Sequence, residues 1–179
     1  AITILSLSIL SGELHASNKG FYIKGKKVYD ANDKEFIIRG VSHAHTWYAD
    51  KINTAIPAIA KQKFNSVRVV LSNGKHAEGW KKNNRSDVKN VIDLCIKNKL
   101  IPILEVHDCT GYPEKGGSAP ISTAVDYWIE LKDILIGMEK YIIINIANEP
   151  YGNNIPADNW VNGHKNSIKR LRNAGFNHL

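Results

Sequence analysis

From about residue 20 onward the chain alternates two kinds of segment, a short β-rich apolar run and then a longer stretch with apolar residues at helical spacing. The runs Phe36–Val41, Ser66–Leu71, Ile101–His107 and Tyr141–Ala147 are rich in branched side chains and bounded by turn residues, which predicts buried strands. Helices are predicted after them over Ile52–Phe64, Ser86–Leu100, Ile121–Met138 and Asn159–Ala174. In the second of these, Val88, Val91, Ile92, Cys95 and Ile96 fall on one face of a helix. Ser86 is expected to cap that helix, and Gly175 to stop the last one. Ahead of these units, Phe21–Arg39 alternates around Gly25-Lys26-Lys27 and Asn32-Asp33-Lys34, predicting a short β-hairpin.

Four strand-helix units in succession predict an α/β fold with a parallel sheet and right-handed crossovers. A closed TIM (β/α)8 barrel needs eight units and typically about 250 residues. With 179 residues and four units, the chain reads as the N-terminal half of such a barrel, Phe176–Leu179 being the approach to a fifth strand. No glycine-rich phosphate loop follows any strand, which argues against a nucleotide-binding doubly wound sheet.

Composition adds little to this picture, since 43% apolar residues suit one domain with a sizeable core. The net charge of +7 raises the question of nucleic acid, yet the basic residues are scattered over helices, as at Lys61, Lys89, Lys97, Lys165 and Lys169. No groove-reading motif accompanies them, so no nucleic-acid partner is expected. Residues Ile2–Leu10 form an apolar stretch, followed by Gly12 and Leu14-His15-Ala16, which resembles the core and cleavage region of a secretory signal. Residues 1–16 are therefore expected to be a partial signal peptide before a domain at 17–179, placing the protein outside the cell. The stretch is too short to cross a membrane as a helix, and no membrane partner is expected. Cys95, in a helical pattern, and Cys109, in a loop, are expected to be two free thiols.

Polar residues collect where the predicted strands end: His43, His45 and Trp47 after the first, Arg68 within the second, His107 and Asp108 after the third, Asn148 and Glu149 after the fourth. In barrels of this kind that end of the strands carries the chemistry. Alternate residues of a strand share a face, so Glu105 points with His107, and Asn145 and Ala147 with Glu149. One lumen could collect them all. Plainer readings exist for each. Glu149 could cap a helix or pair with a lysine, Arg68 could pair with Glu105, and His45 could be a satisfied loop histidine. Trp80, Trp128 and Trp160 are expected to be packing residues. His43, His45, His107 and Asp108 have the chemistry of metal ligands but no ligand spacing, so neither metal nor cofactor is expected.

The order Arg39-Gly40-Val41-Ser42-His43, Arg68, His107 and Asn148-Glu149-Pro150 resembles the first half of a family 5 glycoside hydrolase, a retaining enzyme on an eight-stranded barrel. His43-Ala-His45-Thr-Trp47, Leu104–Asp108 and Ile144–Gly152 resemble most closely its secreted bacterial endo-β-1,4-mannanases. The resemblance implies that Glu149 is the general acid/base and that Asn148 bonds the 2-hydroxyl of the sugar being cleaved. It further implies that Arg68 keeps the nucleophilic carboxylate ionised, that His107 lines the same subsite, and that His43, His45 and Trp47 contact the substrate.

That substrate would be mannan or a related β-1,4-glycan, with cellulose as the alternative. The nucleophile must lie about 5–5.5 Å from the acid, and in this family it comes from the seventh strand. Two other arrangements suit a four-unit chain. Two half-barrels could pair as a homodimer, so that the partner's Glu105 or the partner's Asp108 faces Glu149. Alternatively, a half-barrel could bind polysaccharide without cleaving it.

Overall fold

In the computed structural model, which describes residues 20–179, four parallel strands form one sheet and helices cover one of its faces. A hairpin comes first, β1 (Tyr22–Lys24) pairing antiparallel with β2 (Lys27–Tyr29). Then follow β3 (Gly40–His43), α1 (Ile52–Lys61), β4 (Ser66–Leu71), α2 (Arg85–Lys97), β5 (Ile101–Val106), α3 (Ile121–Glu130), α4 (Lys132–Leu135), β6 (Ile143–Asn145) and α5 (Ala157–Asn173). The sheet order β3-β4-β5-β6 is the order of the chain. The secretory-signal expectation for residues 1–16 lies outside the described residues.

The first barrel strand begins later than its apolar pattern predicted. Glu35 still bridges Tyr29, and the Phe36 N–H donates to the Val28 carbonyl at 2.8 Å, so Phe36 belongs to the hairpin's return. Ile37 and Ile38 are exposed rather than in the sheet. The strand starts at Gly40, where a Cβ would collide with the carbonyl and hydroxyl oxygens of Ser66. Only glycine lets β3 approach β4 this closely.

The cap of α2 lies two residues ahead of the expected Ser86. Asn84 has extended backbone, and its side-chain oxygen accepts from the Asp87 N–H at 3.0 Å. Ser86 lies inside the first turn, where its hydroxyl donates to the same Asn84 oxygen at 2.7 Å. The predicted helix from Ile121 to Met138 is interrupted at Leu131 and resumes only as the single turn α4.

Helix ends decide where the chain turns back. Gly175, at φ +100°, closes α5 with two bonds, Gly175 N–H to the Arg172 carbonyl and Phe176 N–H to the Leu171 carbonyl. Lys99 does the same for α2 at φ +58°, with Lys99 donating to Ile96 and Leu100 to Cys95. A side chain in that left-handed conformation costs about 1–2 kcal/mol that glycine avoids, less the entropy glycine loses. Lys99→Gly is therefore expected to stabilise the fold by roughly 0.5–1 kcal/mol, read as a higher urea midpoint; a lower midpoint would refute the strain.

The core fills the space between sheet and helices. Val67, Val69 and Leu71 of β4 and Leu104 and Val106 of β5 meet Val88, Val91, Ile92 and Cys95 of α2 and Ala124, Val125 and Trp128 of α3. Trp128 is a packing residue, as expected, and its indole N–H donates to the Ile146 carbonyl at 2.9 Å. Both cysteines are free and buried, and burial pushes each thiol up to about 12. At neutral pH they are unreactive. Beyond Gly175 the chain runs back beside β6, where the Ile144 N–H donates to the Leu179 carbonyl at 2.9 Å.

Candidate active site

Lateral register sorts the strand residues onto two faces. Ser42, Arg68, Ile103 and Ile143 form one row, and Val70, Glu105 and Asn145 the next row of the same face. That face is opposite the helix-packed core. His43 falls in register with Val69, a core residue, and so belongs to the helix side.

On the open face a fully buried carboxylate organises the polar residues. Glu105 holds its Oε1 3.1 Å from His107 Nδ1 and its Oε2 3.2 Å from Arg68 Nη2. The same guanidinium nitrogen donates to Asn148 Oδ1 at 2.7 Å. Asn148 Nδ2 in turn donates to Thr110 Oγ1 at 2.8 Å, and the Thr110 hydroxyl donates to the His107 carbonyl at 2.8 Å. The circuit fixes the Asn148 amide from both ends. A buried carboxylate is tolerated only when paired and hydrogen-bonded, which Arg68 and His107 provide. Three of the four residues expected to be catalytic, Arg68, His107 and Asn148, are therefore joined through Glu105, the expected ion-pair partner of Arg68.

Glu149, the fourth, follows Asn148 directly and is exposed to solvent. Its backbone has φ +36°, rare for a residue with a side chain, and its carbonyl accepts from the Gly111 N–H at 2.7 Å. Strain of this kind costs on the order of 1–3 kcal/mol and gathers at functional sites. The loop beyond it is braced by Gly152 N–H to the Tyr112 carbonyl and by Asn154 N–H to Glu114 Oε1. Glu149 opens onto a cleft of about 690 Å³.

Beside His107 stands an aromatic wall. Trp47, 45% exposed, makes edge contacts with Trp80 at 5.0 Å and His107 at 5.4 Å. Trp80 stacks flat on His76 at 3.8 Å and lies 6.0 Å from His107. Trp80 thus packs, as expected of it, but among loop aromatics rather than in the helix-covered core. Its signal in the sequence was its setting, a tryptophan among Glu78, Gly79, Lys81 and Lys82, where no core could claim it.

Asp108 supports that wall from beneath. It is fully buried and accepts from Ser72 Oγ at 2.9 Å, Asn73 N–H at 3.0 Å, Lys75 N–H at 3.0 Å and His76 N–H at 3.1 Å. Neither Asp108 nor Glu105 presents an oxygen at the surface, so neither carboxylate that a paired half-barrel would need is available to a partner. The four residues with metal-ligand chemistry do not converge either. Asp108 is saturated by its loop, and His43 and His45 lie on the helix side.

The two histidines expected to touch substrate are buried there, against expectation. His45 is fully buried with Nε2 3.0 Å from Asp87 Oδ1, bolting the β3–α1 loop to α2, and His43 packs 5.5 Å from its ring. Neither lines the cleft. Trp47 alone of the three faces solvent. Burial holds His43 below the ordinary imidazole range, with His45 adding to the effect, and holds His178 below it likewise. Bonding to His45 keeps the Asp87 carboxyl low. A histidine lowered in the folded state takes up its proton more readily when unfolded. Its stabilisation is complete above the unfolded value of about 6.5 and is lost as pH falls below it. The urea midpoint is expected to drop between pH 7 and pH 5, and less so in His43→Leu; a flat profile would contradict the assignment.

Comparison with known proteins gives three concordant results. Residues 29–179 match the family described as Cellulase (glycosyl hydrolase family 5). The chain is 46% identical over 175 residues to a mannan endo-1,4-beta-mannosidase of Cellvibrio japonicus, covering 98% of this chain and 40% of that protein. It is 46% identical to one of Salipaludibacillus agaradhaerens, covering 89% of this chain and 49% of the other. A beta-mannanase of Thermomonospora fusca solved as a mannohexaose complex superposes with a TM-score of 0.84 at 52% identity, over 89% of this chain and 52% of that one. The chain spans half or less of the length of the two curated relatives.

Proposed function

Given that the chain belongs to glycosyl hydrolase family 5, we propose that it carries the proton-donating side of a site that cleaves β-1,4-linked mannan with retention of configuration. The observation that supports this reading is the clamped Asn148 amide immediately before the exposed, strained Glu149 at the end of β6. Glu149 protonates the oxygen of the glycosidic bond as the bond to the anomeric carbon breaks. It then takes a proton from the water that releases the sugar from the enzyme. Asn148, oriented by Arg68 and Thr110, bonds the 2-hydroxyl of the sugar whose bond is cleaved. His107 and the Trp47–Trp80 wall bound the same sugar.

Glu105 and Asp108 are buried and spoken for, so the nucleophilic carboxylate of this reaction lies outside the described residues in our reading. The names of the relatives at 46% identity support mannan over glucan, while the family's description keeps cellulose as the comparison substrate. A polymer substrate and the apolar segment near residue 2 both fit action outside the cell, which N-terminal sequencing of protein from culture medium would check.

The test is reducing-end release from galactomannan and from carboxymethylcellulose by the intact gene product, with proton NMR of the first anomer formed. Faster release from galactomannan, β-anomer first, is expected. Preference for carboxymethylcellulose would replace mannan by glucan, and α-anomer first would exclude retention.

A further inference from the structure

The cleft beyond Glu149 is distinct from the aromatic wall beside His107. Its lining includes Thr110, Glu149, Tyr151 and Trp160, and none of Trp47, Trp80, His107 or Arg68. Two flanks thus meet at one carboxyl. A proton donor acts on the oxygen joining two sugars, so its flanks must hold the two sugars that this oxygen joins. The Asn148–His107 flank takes the sugar whose anomeric carbon reacts, which leaves the other flank for the departing chain.

The second flank has its own platform. Trp160 stands near the start of α5 and is 51% exposed. Its ring is set by His164, one turn on, whose ring centroid lies 4.1 Å away and whose Nδ1 is 2.8 Å from the Trp160 carbonyl. The helix is fixed to the catalytic loop as well. Tyr151, two residues after Glu149, lays its hydroxyl against Gly163, where any side chain would collide with it. The positions of Glu149 and Trp160 are therefore coupled through a rigid contact. A cleft of about 690 Å³ is within the range that receives small organic ligands.

We propose that Trp160 forms a saccharide subsite for the leaving-group side of the substrate, stacking its indole face on the apolar C–H face of a hexopyranose beyond the scissile bond. This rests on the proposed reaction, since it uses Glu149 to define the two flanks. Trp160 determines which chains are productive, favouring substrates that extend past the cleavage point over those with a compact leaving group.

The experiment compares Trp160→Ala with the parent, in the intact gene product, on mannohexaose and on an aryl β-mannobioside. The loss in kcat/KM on mannohexaose is expected to exceed the loss on the aryl substrate by about tenfold, or about 1.4 kcal/mol, with Trp160→Phe recovering most of it. Equal losses, or none on mannohexaose, would overturn the subsite. Calorimetry in a Glu149→Gln background separates the two ideas. If the parent cleaves no mannan, the reaction has failed, yet a roughly tenfold weaker mannohexaose Kd on Trp160→Ala still supports the platform. An unchanged Kd removes the platform whatever the chemistry.

Discussion

Glu149→Gln is expected to lower kcat on mannan by about 10²- to 10⁴-fold, the range that general acid-base assistance supplies. The amide has the size and shape of the carboxyl, and residue 149 is exposed, so the urea midpoint is expected to stay near that of the parent. The loss depends on the leaving group. An acidic phenol departs without a proton, so with a dinitrophenyl glycoside the first step survives, and the defect moves to the step in which Glu149 acts as base. Azide, which needs no base, is then expected to restore turnover and to yield a glycosyl azide. A variant retaining more than about a tenth of the parent's mannan activity would remove Glu149 from the reaction.

The largest effect on folding is expected at Asp108. Asp108→Ala strips four donors of one acceptor: the Ser72 hydroxyl and the backbone N–H groups of Asn73, Lys75 and His76. Each buried donor left without a partner costs about 1–3 kcal/mol. With some relaxation of the loop, a total of roughly 3–5 kcal/mol is expected, comparable to losing one member of a buried charged pair. With urea slopes of about 1–3 kcal/mol per molar, the midpoint falls by a molar or more. The consequence reaches the cleft, because His76 carries the stacked Trp80. Activity is expected to fall even at temperatures where the variant is folded; a shift below about 1 kcal/mol would show that water takes over the carboxylate's bonds.

Hydrophobic spacing carried most of the architecture, and the reasons for its lapses are local. Helices α1, α2 and α5 appear where apolar residues recur on one face, since that face packs on the sheet whatever the ends do. The expected strand at Phe36–Val41 slipped because the hairpin's return, through Tyr29–Glu35 and Val28–Phe36, competes for the start of the same apolar run. Asn84 displaced Ser86 as cap because both are good capping residues with only Arg85 between them, and only backbone dihedrals distinguish them.

Among the candidate-site residues, His107, Asn148 and Glu149 were legible as polar residues closing apolar runs, and Arg68 as a charge within one. Period-two alternation put Glu105 with His107 correctly. The expectation for His43 rested on its place at a strand end and on the resemblance, and neither fixes which face of the sheet it joins. One residue of lateral offset exchanges the two faces, and here Ser42, not His43, shares the row of Arg68. Trp80 and Asp108 act through contacts between separate loops, and spacing along a chain carries no information on which loops will meet.

The strict succession β3-β4-β5-β6 bears on how the chain assembles. Each strand's neighbour is the strand made just before it, so a chain emerging from the ribosome always finds the template for its newest strand already present. The entropy of closing each crossover grows only with the logarithm of its length, about 0.6 kcal/mol per doubling. Pairings of short range in sequence also form fastest. The sheet can therefore grow one unit at a time in the direction of synthesis, and the Arg68–Glu105 pair, bridging two adjacent strands, can close before Asn148 is translated.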